Sequence, residues 1–275
     1  MKNTDQKTVD GFGVEWNKYN QSSIPTKELE KSWNQYFNMF PFEKLHNDSQ
    51  GFDMGCGSGR WAKFVANKVN HLNCIDPSIE ALNVAKRNLS NYKNISFYHG
   101  SANENPLSEN SQDFGYCLGV LHHIPDTLEG IKACSKLLKK DAPFLLYLYY
   151  DFENRSTIFK FIWRISNFFR GIISLMPRKL KILTTSIIAL LVYLPLARIA
   201  LISEKFGFDV SNFLLTDYRK KSFYFMRTDA LDRFGTQLEK RFSRKEINHM
   251  LQQAGFRDVK YSDNLPFWVC VSYKI

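Results

Sequence analysis

Between residues 50 and 150, short apolar runs alternate with stretches whose apolar residues recur every three or four positions. That alternation predicts the strands of a buried sheet joined by amphipathic helices. The approach to the glycines at 55–59, residues 71–76, residues 94–98, the apolar run after Asp113 and residues 144–150 read as five strands in turn. Residues 79–89 have helical periodicity, as do Leu29, Trp33, Tyr36, Phe37 and Phe40 near the N-terminus. Ser243 caps an amphipathic helix running through Gln253, with Gly255 in the C′ position. Residues 260–262 and 268–273 then read as a closing hairpin.

The stretch 151–240 breaks this rhythm. Residues 158–173 mix Phe159, Phe161, Trp163, Phe168 and Phe169 with Lys160, Arg164 and Arg170, and 181–202 are nearly all apolar. The longest uncharged run there, 182–197, falls short of the roughly 20 residues that cross a bilayer. It also holds Thr184, Thr185, Ser186 and Pro195. A buried helix pair in a substrate lid and an interfacial helix pair on a membrane are favoured over a transmembrane helix. Four segments follow: an N-terminal helical cap (1–48), a sheet core (49–150), a helical lid or substrate insertion (151–240), and a closing helix and hairpin (241–275).

Gly55-Cys56-Gly57-Ser58-Gly59 sits between a strand-like approach and a helix-like exit. Glycine tolerates positive φ and lets another molecule approach the backbone, so the loop reads as a nucleotide-cofactor site. A dinucleotide site needs G-x-G-x-x-G, and Arg60 stands where its third glycine belongs. Nothing in the chain matches G-x-x-x-x-G-K-[ST]. Asp53-x-Gly55-x-Gly57-x-Gly59 resembles instead the first motif of class I S-adenosylmethionine-dependent methyltransferases. That cofactor carries an ammonium and a sulfonium, which suit a carboxylate better than a phosphate nest. Asp76, about twenty residues on, stands where a carboxylate bonds two ribose hydroxyls. Its alternative role is to cap a helix opening at Pro77.

The resemblance covers roughly residues 50 to 150. It implies a Rossmann-like α/β fold: a seven-stranded, mostly parallel sheet with an antiparallel last strand, helices on both faces and a helical lid insertion. It also implies that Ser101 and Ala102 flank the adenine, Ser101 standing where an acid is common. The apolar run after Asp113 breaks at Leu118-Gly119 and leads to His122-His123. Ligands bind at the carboxyl ends of such strands. Cys56, Pro77, Leu118 and Gly119 therefore join the expected cofactor set, and both histidines are expected to face the methyl group. Adjacent histidines on an extended segment would point to different sides, and no His/Cys cluster predicts a metal. Residues 12–16, 118–126 and 224–242 resemble a bacterial subgroup with a basic, apolar insertion, often assumed to modify surface glycans or lipids.

Net charge is +10, and residues 152–225 hold twelve Lys and Arg against four Asp and Glu. Basic residues beside apolar ones suit an anionic membrane surface, with a solvated lid rim as the alternative. The apolar richness argues against nucleic acid as a partner. Five scattered cysteines read as reduced core residues of a cytoplasmic-side protein. The polar start of the chain shows no cleavable-signal pattern.

The implied cofactor is S-adenosylmethionine and the implied reaction methyl transfer. Histidine titrates near neutrality, so His122 or His123 is the candidate base toward a hydroxyl, with a structural role as the alternative. Tyr149, Tyr150, Asp229 and Arg233 are candidate acceptor contacts; around Asp229 and Arg233, salt bridging is the alternative. O-methylation of a hydroxylated small molecule, glycan or lipid-linked, is the leading expectation. C-methylation of a quinone or isoprenoid ring is second, and a non-catalytic cofactor-binding or membrane-scaffold protein third. The acceptor and the oligomeric state stay open.

Overall fold

The computed structural model describes residues 1–21, 24–211 and 213–275. Along the chain, α1 (Gln6–Lys18) and α2 (Thr26–Phe37) precede β1 (Gln50–Met54), α3 (Ala62–Val65) and β2 (His71–Asp76). Next come α4 (Ile79–Asn88), β3 (Ile95–His99), β4 (Phe114–Leu118), α5 (Thr127–Leu137) and β5 (Pro143–Tyr147). Four helices follow: α6 (Thr157–Ser174), α7 (Arg178–Ile188), α8 (Leu194–Lys205) and α9 (Phe223–Gly235). The chain closes with α10 (Arg244–Gln253), β6 (Phe256–Tyr261) and β7 (Cys270–Lys274). It forms two compact units. Met1–Ser22, Leu29–Glu153 and Leu238–Ile275 make the first; Ser23–Glu28 and Asn154–Gln237 make the second.

The first unit is a seven-stranded sheet of order β3-β2-β1-β4-β5-β7-β6. Strands β1 to β5 run parallel, and β7 is antiparallel to both β5 and β6. This is the Rossmann-like methyltransferase architecture. Strands covered on both faces need near-continuous apolar runs, and all five residues of β4 are buried. Strand order reverses between β1 and β4, and the crevice at that reversal is where such sheets bind ligands.

Glycines and phenylalanines interlock at that seam. Gly51 pairs with Phe114 and Phe52 with Gly115 across β1 and β4. A Cβ on either glycine would overlap the opposite ring, so each ring fills the space its partner leaves.

Local chemistry sets the boundaries. The Ser78 hydroxyl accepts the Ala81 N–H and caps α4, so Pro77 precedes the cap and does not open the helix. Ser243 and Glu246 form a capping box on α10. β5 stops at Tyr147, leaving Tyr149 and Tyr150 beyond the strand, and β6 begins earlier than residue 260, directly after Gly255.

In the second unit, Ile173, Ala189, Tyr193, Ala197, Met226, Ala230 and Phe234 form a core of their own. A π-helical turn at Ala189–Tyr193 joins α7 to α8 without a break. The result is one helical run, Arg178–Lys205, of 28 residues. Its length corrects the impression left by the shorter uncharged run. Pro195 does not stop the helix because it falls in the first turn of α8, just past the π turn. Among the described residues, this run is the one helix long and apolar enough to cross a membrane.

Candidate functional site

The glycine loop leaves β1 through three left-handed residues, Gly55, Gly57 and Gly59, with φ of +77°, +54° and +75°. A side chain at any of them would be strained, and it would also collide with Val120, Trp16 or Leu89 respectively. The Gly55 and Cys56 N–H groups donate to the Ile75 carbonyl at 2.8 and 3.1 Å, turning the chain off the strand. Asp76, at the end of β2, then fixes the loop. Its Oδ2 accepts the Gly57 N–H and its Oδ1 the Ser78 N–H, both at 2.8 Å. Burial pushes its pKa up to about 6, against the pull of those two bonds. A carboxylate has about four lone-pair sites, so two remain for a ligand.

Asp53 is buried beneath the loop, and its Oδ2 has no hydrogen-bond partner among the described residues. Burial pushes its pKa up to about 8; the Tyr116 hydroxyl and Arg60 oppose the rise, and Asp76 adds to it. A buried carboxylate oxygen without a donor is costly, and a cation would relieve it. The hydrogen bond with Cys74 and then burial push the Cys56 thiol well up, so its side chain is an inert packing group. Arg60 lies over the rings of Trp16 and Trp61, its guanidinium carbon 5.4 and 4.5 Å from their centroids.

At the end of β4 the chain bends at Gly119, whose φ is +79°. The space its side chain would fill is open. Leu121–His123 then form a 3₁₀ turn, not the extended segment expected, and the rings of His122 and His123 lie 4.0 Å apart. The Nδ1 of His123 sits 2.7 Å from the Leu238 carbonyl. A carbonyl can only accept, so Nδ1 carries the proton and Nε2 is the basic nitrogen of the neutral ring. His122 is fully buried and stacks on Tyr149 at 3.8 Å. Neither of its ring nitrogens has a hydrogen-bond partner among the described residues. Burial, then His123 and Arg241, hold its pKa well below the usual imidazole range, which keeps the ring neutral.

The returning segment 238–242 braces this turn. Lys240 N–H donates to the His122 carbonyl at 3.0 Å and Phe242 N–H to the Tyr149 carbonyl at 2.9 Å. Arg241 donates to the Tyr150 carbonyl, pairs with Glu239 at 2.9 Å and lies over the Tyr149 ring. Leu238, Arg241, Tyr116 and the packing of Trp16 on the loop were not anticipated as parts of the site. Each arrives from a distant segment, and only the polar density of 224–242 hinted at two of them, Leu238 and Arg241.

The remaining candidates divide. The Ser101 hydroxyl donates to the Lys2 carbonyl at 3.1 Å, and the Ala102 carbonyl accepts from Asn105. Asp229 and Arg233 belong to the second unit. There Asp229 lies beside the Tyr218 hydroxyl, and Arg233 lies over Trp163, 5.6 Å from the ring centroid. Among the described residues, no group of three or more His, Cys, Asp or Glu could hold a metal.

Comparison with known proteins bears on the first unit. Residues 52–146 match a family described as a methyltransferase domain. A ubiquinone biosynthesis O-methyltransferase from Colwellia psychrerythraea is 37% identical over 95 residues, 34% of this chain and 38% of that protein. A demethylmenaquinone methyltransferase from Staphylococcus aureus is 25% identical over 141 residues, 45% of this chain and 58% of that one. The chain thus spans between 38 and 58% of the length of these curated relatives. Among solved structures, a Haloferax volcanii complex between the Trm112 methyltransferase activator and a methyltransferase aligns with a TM-score of 0.53. It is 11% identical, covering 95% of this chain and 96% of that one, and shares the fold. An acid two residues before a left-handed glycine loop, a second acid bonded to that loop and this sheet order all coincide with the matched residues. Residues 52–146 therefore match a methyltransferase-domain family, on a sheet of the class I S-adenosylmethionine-dependent methyltransferase fold.

Proposed function

We propose that the chain transfers a methyl group from S-adenosylmethionine to a hydroxyl of a hydrophobic, quinol-like or lipid-linked acceptor. The observation that carries this reading is the His122–His123 turn at the carboxyl end of β4, just beyond the open bend at Gly119. Asp76 receives the ribose hydroxyls on the lone pairs its two backbone bonds leave. Asp53 Oδ2, buried and without a hydrogen-bond partner among the described residues, faces the ammonium. Cys56, Gly57, Gly59, Pro77, Leu118, Gly119 and Ala102 approach through the backbone, and so does Ser101, whose hydroxyl is bonded to Lys2.

When bound, the cofactor supplies an electrophilic methyl group on a sulfonium. The chain's task is to hold the acceptor oxygen in line and to take its proton in the transition state. His123 Nε2 is the base, held in place by the Leu238 carbonyl on the opposite nitrogen. Tyr149 and Tyr150 line the acceptor side. Quinone-type acceptors are supported by the names of the relatives. Five buried free cysteines support a reducing, cytoplasmic compartment.

The test is methyl transfer from labelled S-adenosylmethionine to three acceptors: a polyprenylated catechol-type quinol, demethylmenaquinol and a glycan. Label on the phenolic oxygen of the first is the expected outcome. Label on a ring carbon of the second would replace O- with C-methylation. Tight cofactor binding with no transfer to any acceptor would overturn the enzyme reading.

A pH dependence follows from Asp53. Without ligand the carboxyl is protonated below about 8, because its folded pKa lies above the ordinary carboxylate value. A cationic ligand beside it needs the carboxylate, so binding below pH 8 must expel a proton. Cofactor Kd is therefore expected to fall about tenfold per pH unit toward pH 8 and then level off. Calorimetry in buffers of different ionisation enthalpy should record the released proton. A flat Kd with no proton release would remove Asp53 from the ammonium site.

A further inference from the structure

The apolar residues of the second unit point two ways. One set makes the core around Tyr193 and Met226. The other faces outward. Ile158, Phe161, Ile165, Phe168 and Ile172 follow one another at three- and four-residue steps along α6, each between 46 and 73% exposed. Leu180, Leu183, Ile187 and Leu191 make a second exposed row on the Arg178–Lys205 helix, continued by Ile199 and Ile202. Among the described residues, 19 of the 22 exposed large apolar side chains lie between residues 158 and 213. Helices in water turn such stripes inward, and contiguous exposed patches of this kind mark interaction surfaces.

Charge identifies the occupant. Residues 154–203 contain eight Lys and Arg and not one Asp or Glu. Residues 154–237 carry +9 of the chain's net +10. A second copy on this face would set Lys160, Arg164, Arg178 and Lys179 against their own counterparts, in a stretch that holds no acid. An anionic lipid surface meets both demands, because the stripes enter the acyl boundary while Lys and Arg reach the headgroups.

The helices lie on the surface and do not cross it. The inner side of Arg178–Lys205 is committed along its length. Ala189, Tyr193 and Ala197 pack into the core, Lys181 donates to the Gly235 carbonyl at 3.0 Å, and Arg198 donates to the Arg219 carbonyl at 2.9 Å. Both α6 and α7 pack on α9, which gives each helix one face for protein and one for its surroundings. We infer that α6 and the Arg178–Lys205 helix form a monotopic docking layer that embeds its outer apolar rows in an anionic bilayer. This inference goes beyond the proposed methyl transfer and does not depend on it.

The full-length chain should be sedimented with vesicles of phosphatidylcholine, with and without added phosphatidylglycerol. At least about tenfold stronger binding to the anionic vesicles is expected, weakening as salt rises. The combined Phe168→Ser and Leu191→Ser variant, altered only at exposed positions, should lose vesicle binding about tenfold or more while its cofactor Kd stays unchanged. Wild-type binding no better than the variant's, or equal binding to both vesicle types, would overturn the inference. So would self-association without vesicle binding, which would assign the stripes to a second copy. Resistance to alkaline extraction from cell membranes would show a spanning helix and overturn it too.

Discussion

Asp76→Ala is expected to raise the Kd for S-adenosylmethionine by roughly a hundredfold or more and to lower the melting temperature as well. One carboxylate does two jobs here. It accepts the Gly57 and Ser78 N–H groups at 2.8 Å, both in a buried setting. In the proposed site its remaining lone pairs hold the ribose hydroxyls. Hydrogen bonds to a charged group contribute about 1.5–3 kcal/mol each, and donors left buried without a partner cost a similar amount. Losing one such ligand bond and loosening the left-handed loop together reach roughly 3 kcal/mol, the hundredfold stated. Asp76→Asn keeps the shape but turns an NH₂ toward one of the two backbone donors, so it should rescue little. Titration calorimetry and thermal melting check both parts. A Kd within threefold of wild type would place the ribose elsewhere. The wild type should show a milder form of the same loss as pH falls through about 6, where Asp76 takes up its proton.

The parts of this site that were legible in the sequence are those governed by short-range rules. The spacing of Asp53, Gly55, Gly57 and Gly59 reports backbone conformations that only glycine reaches easily, and the three φ values agree. The alternation of apolar runs and helical periods in 50–150 reports a sheet covered on both faces, which is why the parallel strands could be placed. What escaped depends on contacts between distant segments. The histidine pair was read as extended because nothing local announces that Gly119 bends the chain into a 3₁₀ turn. The Ser101 hydroxyl is bonded to the Lys2 carbonyl, 99 residues away, a contact that no local pattern announces. The helix Arg178–Lys205 looked interrupted because charge and proline were counted along the chain. In the fold, Arg198 bonds a carbonyl from another segment, and a π turn precedes Pro195.

His123→Ala is expected to lower kcat by about 10²- to 10⁴-fold, the usual contribution of a positioned base, with little change in the KM for S-adenosylmethionine. The Leu238 carbonyl fixes which nitrogen bears the proton, so His123→Asn, which keeps polarity without a basic nitrogen, should fall as far as His123→Ala. The acidic limb that a histidine base gives the kcat–pH profile should be missing from both variants, a change that a packing role for the ring would not produce. His122 offers the counterpart. Its two buried ring nitrogens have no partner among the described residues, so an apolar ring of similar shape removes an uncompensated polar cost. His122→Phe should therefore hold or raise the melting temperature while still stacking on Tyr149. If His122 meets the acceptor, the same variant should raise the acceptor KM and spare the cofactor Kd. If turnover survives both His123→Ala and His122→Phe at saturating acceptor, the histidine turn is structural, and base catalysis at the carboxyl end of β4 is excluded.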